Sequence, residues 1–224
     1  MKNKTLKVNE IFKSIEGEGL RTGLPVVFIR LFGCNLKCSY CDTKYSCEGN
    51  DYSEMTIDDI MKKVSSFGIK NITLTGGEPL IHSNVESLIE ELLNAGLYVN
   101  IETNGSVDCM KYLKYDPSRL MVTADFKCFS SGETEKMIVG NLFELRPTDV
   151  LKFVVGSETD LTQLKALMRL GAIKATVFVS PVFGKIDPVD IVNCIINDEE
   201  LKTQNVRVQL QLHKFIWDPN KRGV

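Results

Sequence analysis

The chain has 224 residues, 43% of them hydrophobic and 25% charged, with a formal net charge of -2. That length supports one generous α/β domain with a sizeable core, and the near-neutral charge gives no electrostatic footprint for nucleic acid. No apolar stretch reaches the length of a membrane span, and none follows the basic start Met1-Lys2-Asn3-Lys4-Thr5, so neither an anchor nor a secretory leader is expected.

Short apolar runs predict strands over 26–31, 72–75, 98–103, 120–124, 150–155, 175–179 and 206–211. The segments between them have helical spacing. Thr56 with Asp59 three residues on resembles a capping box and opens a helix over 57–64, where Ile57, Ile60, Met61 and Val64 share a face. A helix over 85–94 repeats the pattern through Val85, Leu88, Ile89 and Leu92, with Gly96 placed to end it. A third segment, 161–170, stops before Gly171, and Pro188 suits the first turn of a helix over 188–196. Strand and helix alternate throughout, which predicts an α/β fold with a mostly parallel sheet. No repeat, linker or low-complexity stretch interrupts the series, so one domain over 1–224 is expected.

In parallel α/β architectures, ligands bind beyond the carboxyl ends of the strands. A cysteine-rich loop follows 26–31, Gly76-Gly77-Glu78-Pro79 follows 72–75, and Asn104-Gly105 follows 98–103. Asp125 and Lys127 follow 120–124, Ser180-Pro181 follows 175–179, and His213 follows 206–211. All of these polar motifs fall at one end of the predicted sheet, where a ligand site belongs.

With no leader expected, the seven cysteines point to a reducing cytoplasm, where close spacing means metal or catalysis more often than disulfides. Cys34, Cys38 and Cys41 share one short polar loop. Three thiolates there can hold three irons of a 4Fe–4S cube and leave the fourth iron open. The rival reading is structural zinc with Cys47 as fourth ligand. The glycine pair and the polar strand ends favour the cluster, because a zinc knuckle needs neither. Cys109, Cys128 and Cys194 are unclustered bystanders. Gly76 and Gly77 let backbone approach a ligand closely, and Glu78 offers a carboxylate to an ammonium group; alone, the pair would read as a tight turn. Arg30 sits inside an apolar strand and needs a partner. For Thr43 the chemistry alone favours a turn hydrogen bond, and His213 reads equally as a polar residue closing a strand end or as a group near substrate or metal.

The Cys-x3-Cys-x2-Cys loop with Tyr40 before its last cysteine, followed by Gly76-Gly77-Glu78-Pro79, resembles the radical S-adenosylmethionine enzymes. Within that superfamily the chain is similar to the 7-carboxy-7-deazaguanine synthase family of queuosine and 7-deazapurine biosynthesis. The match runs through Ile15-Glu16-Gly17-Glu18-Gly19, Phe28 to Leu36, Cys41-Asp42-Thr43, Thr75 to Pro79, Glu102-Thr103-Asn104-Gly105 and Gln209 to Trp217. The resemblance implies an abbreviated partial (β/α) barrel and a carbon–nitrogen lyase reaction. 6-Carboxy-5,6,7,8-tetrahydropterin loses a hydrogen atom from C6, the ring contracts with loss of ammonia, and the radical returns to S-adenosylmethionine. It also implies a 4Fe–4S cluster on Cys34, Cys38 and Cys41, S-adenosylmethionine, and Mg2+ on Thr43. Ile15, Glu16, Gly17, Arg30, Thr75 and His213 would face the pterin, with Arg30 on its carboxylate. Gly77 and Glu78 would hold the methionine end of the cofactor. Asp125, Phe126 and Lys127, with Ser180, Pro181, Val182 and Phe183, would reach its ribose and adenine. Asp125-Phe126-Lys127 departs from the Ser-Pro-Lys-like element common in the family. A homodimer and a flavodoxin or ferredoxin as electron donor are implied too, with no nucleic-acid or membrane partner. The competing functions are a glycyl-radical-enzyme activase and a zinc-stabilised binding module.

Overall fold

The computed structural model describes residues 4–224. The chain runs β1 (Thr5–Ile15), β2 (Pro25–Leu31), β3 (Ser53–Thr56), α1 (Ile57–Ser65), β4 (Asn71–Gly76), α2 (Val85–Asn94), β5 (Tyr98–Thr103) and β6 (Leu120–Lys127). It continues through α3 (Gly140–Glu144), β7 (Val150–Val155), α4 (Glu158–Met168), β8 (Thr176–Pro181), α5 (Pro188–Ile196), β9 (Val206–Val208) and α6 (His213–Ile216). The nine strands among the described residues join one sheet in the order β3-β1-β2-β4-β5-β6-β7-β8-β9. From β2 to β9 every pairing is parallel; β1 is antiparallel to both β2 and β3. Among the described residues, no helix is long and apolar enough to cross a membrane.

The helix starts follow local chemistry. Thr56 Oγ1 accepts from Asp59 N at 3.1 Å and donates to the Asp59 carboxylate at 2.6 Å, which fixes the start of α1. Asp187 caps α5 through Val189 N at 2.9 Å, with Pro188 in the first turn where no amide donor is needed. α4 begins three residues before the expected 161, because Ser157 caps it and Glu158 and Asp160 face its positive end. Two strands escaped the sequence reading. β1 has its alternation broken by an irregularity between Val8 and Glu10, and β3 is a short, polar edge.

The period of two along each strand divides the sheet into two unlike faces. Ile29, Leu74, Ile101, Val122 and Phe153 are fully buried in the core that the helices complete. Their neighbours Arg30, Thr75, Glu102, Thr123 and Lys152 point the other way and line a cavity. The sheet curls so that its two sides meet. Leu212 N donates to the Gly17 carbonyl at 3.2 Å, and Gly19 N to Gln209 Oε1 at 2.9 Å. The result is a partial barrel with a polar interior.

Candidate active site

The cavity inside the barrel has a volume of about 450 Å³. Its upper wall is the loop after β2. That loop is anchored from several sides: Gly33 N donates to the Ser46 carbonyl at 2.7 Å, Lys37 N to Glu133 Oε1 at 2.7 Å, and Ser39 N to the Ser131 carbonyl at 2.9 Å. Below it runs the glycine pair that follows β4. A Cβ on Gly77 would lie 2.2 Å from the Gly33 carbonyl oxygen and 2.8 Å from Cys34 Cβ, so only glycine fits under the cysteine loop. Gly76 has φ of 153° and an equally close approach to Leu31.

Cys34, Cys38 and Cys41 all face this cavity as free thiols. The Cys47 thiol lies beside Cys34 and Cys41 and lowers both to a pKa of about 6, whereas burial raises Cys38. Asn104 Nδ2 adds a contact to Cys34 Sγ at 3.6 Å. Three soft thiol donors on one short loop lining one polar pocket are the donor set an iron–sulfur cluster takes. Cys47 therefore belongs to the same wall as the triplet. Thr43 follows, with Oγ1 3.7 Å from Cys41 Sγ.

Most of the residues singled out in the sequence share this one cavity. Ile15, Glu16, Gly17, Arg30, Thr75, Gly77, Asp125, Lys127, Val182, Phe183 and His213 all line it. Four others lie behind its wall. Glu78 is fully buried and its carboxylate is taken up by Leu80 N (2.9 Å), Thr103 Oγ1 (2.9 Å) and Asn104 N (2.6 Å). It thus braces the end of β5 against the glycine loop. Phe126 lies between Asp125 and Lys127 in β6, so the alternation turns it into the core beside Phe153. Ser180 and Pro181 are buried as the last residues of β8, not in a turn beyond it. β9 ends at Val208, so His213 opens α6 instead of closing a strand. Its imidazole packs on Gly17, where a Cβ would meet Nδ1 at 2.4 Å, and burial lowers its pKa.

Sequence reasoning missed the charged belt below the cysteines. Lys152 Nζ donates to Glu18 Oε2 at 2.8 Å and lies 3.5 Å from Asp125 Oδ2, which Lys127 also holds at 2.8 Å. Gln211 fixes the other Glu18 oxygen at 2.7 Å. Burial alone would lower the Lys152 pKa, but Asp125, Glu18 and Glu102 together raise it well above its ordinary value. The signal was present: a lysine and a glutamate each interrupt an apolar strand, at Lys152 and Glu102. The C-terminal residues 219–224 also line the cavity, and Lys214 pairs with Asp42 at 2.9 Å.

Glu16 is the floor residue. Burial, reinforced by Glu102, raises its pKa to about 8, while Thr73 Oγ1 bonds it at 2.6 Å. A carboxyl whose folded pKa exceeds its unfolded value of 4.5 loses stability as pH rises from there toward 8. Glu16→Gln is therefore expected to match the parent near pH 5 and exceed it by about 2 kcal/mol near pH 9, after allowance for relaxation around the buried charge. Urea midpoints at the two pH values check this, and an equal gap at both would contradict it.

Comparison with known proteins agrees with this geometry. Residues 28–125 match the Radical SAM superfamily. The chain is 42% identical over 222 residues to the 7-carboxy-7-deazaguanine synthase of Clostridium acetobutylicum, covering 97% of this chain and 99% of that protein. It is 40% identical over 217 residues to the protein of the same name from Methanospirillum hungatei, covering 96% and 86%. The crystal structure of QueE from Escherichia coli superposes with a TM-score of 0.73 at 24% identity, over 93% of this chain and 95% of that one. Sequence identity at this level over nearly the full length, on a barrel whose cavity holds the cysteine triplet, places the chain in the 7-carboxy-7-deazaguanine synthase family of the radical SAM superfamily.

Proposed function

We propose that the protein converts 6-carboxy-5,6,7,8-tetrahydropterin to 7-carboxy-7-deazaguanine with loss of ammonia, as one domain and as a homodimer in the cytoplasm. The observation that carries this reading is that three thiols from one short loop and an inward arginine, Arg30, line one cavity. Cys34, Cys38 and Cys41 would hold a 4Fe–4S cluster, which together with S-adenosylmethionine would supply radical hydrogen-atom abstraction and return at C6 of the substrate. The chain's own residues bind, orient and shield. Arg30 presents guanidinium donors to the substrate carboxylate, a geometry that a planar fork suits well. Glu16, protonated near neutral pH, offers a hydrogen-bond donor to the pterin without placing a charge beside it. Neutral His213 and Thr75 complete the polar wall, and Thr43 would offer its hydroxyl to a Mg2+ ion. Gly77 supports the methionine end of the cofactor, while Asp125, Lys127, Val182 and Phe183 face its nucleoside. Residues 219–224 keep water from the reacting carbon.

The reductant is a flavodoxin or ferredoxin. The test is anaerobic incubation of the reduced protein with the tetrahydropterin, S-adenosylmethionine and Mg2+. Stoichiometric ammonia and deazaguanine, with S-adenosylmethionine largely unconsumed, is the expected result. Absence of both products with an intact cluster would overturn the assignment.

A further inference from the structure

β1 is irregular where it passes the inward arginine. Val8 pairs with Leu31 and Glu10 with Arg30, so Asn9 is an extra residue and the strand bulges there. A bulge re-aims the side chains beside it, and bulges recur next to functional sites for that reason. The re-aimed residue is Glu10. Its Oε1 accepts from Arg30 Nε at 2.7 Å and from the Tyr45 hydroxyl at 3.0 Å. Among the described residues this is the one side-chain hydrogen bond that Arg30 makes, which leaves both Nη groups for a ligand. The surroundings hold the bulge in turn. Asn9 Nδ2 donates to the Asp51 carbonyl, the Asp51 carboxylate lies 3.3 Å from Arg222 Nη1, and the Arg222 guanidinium sits 3.7 Å from the centre of the Tyr45 ring.

We propose that Glu10 is a positioning residue: by holding Nε it aims the two Nη groups of Arg30 into the cavity as a fork for the substrate carboxylate, with Tyr45 fixing Glu10. The proposal rests on the reading of Arg30 as the carboxylate partner. Two effects of opposite sign compete at this site. Glu10 cancels part of the arginine charge, and on charge alone its removal would tighten anion binding. It also removes rotamer freedom that a loose arginine would have to give up on binding. The single contact engages one of the five donors and leaves the end of the guanidinium open, so orientation outweighs the partial neutralisation.

The test compares dissociation constants of the anaerobically reconstituted protein for 6-carboxytetrahydropterin and for its uncharged 6-hydroxymethyl analogue. Their ratio measures carboxylate selectivity, and a general folding defect would move both constants alike. Glu10→Ala is expected to lower the ratio about tenfold, with the affinity for the uncharged ligand unchanged. Glu10→Gln keeps an acceptor oxygen for Nε and is expected to restore most of it. An unchanged or increased ratio in Glu10→Ala overturns the proposal. Should that variant fail to fold, Tyr45→Phe breaks the supporting contact alone and is expected to lower the ratio about threefold; no change would count equally against it. Arg30→Ala separates the two readings. If it keeps full selectivity, Arg30 is not the carboxylate partner; if it loses selectivity while Glu10→Ala does not, only the role of Glu10 falls.

Discussion

Cys34→Ala protein is expected to emerge from anaerobic purification without its iron and with turnover lowered on the order of a thousandfold or more, because the radical chemistry depends entirely on the cluster. Cys38→Ala and Cys41→Ala should behave alike. Cys47→Ala is the informative contrast. Its thiol lies against Cys34 and Cys41 and lines the same cavity, so proximity alone would admit it as a fourth ligand. A cluster with four protein thiolates has no open iron for S-adenosylmethionine, whereas a structural zinc site would require all four. Cys47→Ala is accordingly expected to keep its iron and sulfide and to stay within a fewfold of parental activity. Loss of metal from that variant, or one zinc and no iron in the parent, would refute the open-cluster arrangement.

The second large effect concerns stability. Lys152→Met is expected to destabilise the protein by about 3–5 kcal/mol near pH 8, the range for stranding charge after removal of one buried ion-pair partner. Glu18 and Asp125 are within ion-pairing reach of Lys152, and Glu102 is held close to it by the same strand alternation. Asp125 retains Lys127 in the variant; among the described residues Glu18 retains the amide of Gln211 as its hydrogen-bond partner. The deficit has a predictable sign with pH. Lys152 lowers the folded-state pKa of Asp125 and Glu102, so without it both rise and the folded form takes up protons more readily than the unfolded chain below neutrality. The destabilisation should thus shrink toward pH 5.5. Urea midpoints for parent and variant at both pH values measure it, and a pH-independent loss would mean that lost packing of the lysine stem, not charge, is responsible.

Much of the site could be read from the chain because strand alternation converts spacing into direction. The cysteine loop, Arg30, Thr75, Asp125, Lys127 and His213 were named from motif and misfit, and the curled sheet gathers them into one cavity. The same alternation explains what was misread. Phe126 lies between two inward residues and must point out, and Ser180 and Pro181 remain in β8 because β7 continues beside them to Val155. Glu78 looked like a ligand because a carboxylate after two glycines is exposed in sequence terms. Only the packing of β5 shows that Thr103 and Asn104 already occupy it. Nothing local revealed β1 as a full strand, since its bulge breaks the periodicity that betrays a strand, and the relation of Glu10 to Arg30 depends on that register. The approach of residues 219–224 to the cavity is purely tertiary.

The seam of the barrel bears on the order in which the site forms. The cluster wall draws on segments that are all made once the chain reaches Glu133: the cysteine loop, the glycine pair, Asn104 and the turn holding Ser131 and Glu133. The substrate wall closes only when Gly17 and Gly19 meet Leu212 and Gln209, the latter pair 190 residues apart. Closing so long a loop lags behind local contacts. During synthesis the thiolates can therefore converge while the last strand is still unmade, and a nascent chain acquires a place for iron before it acquires one for a pterin.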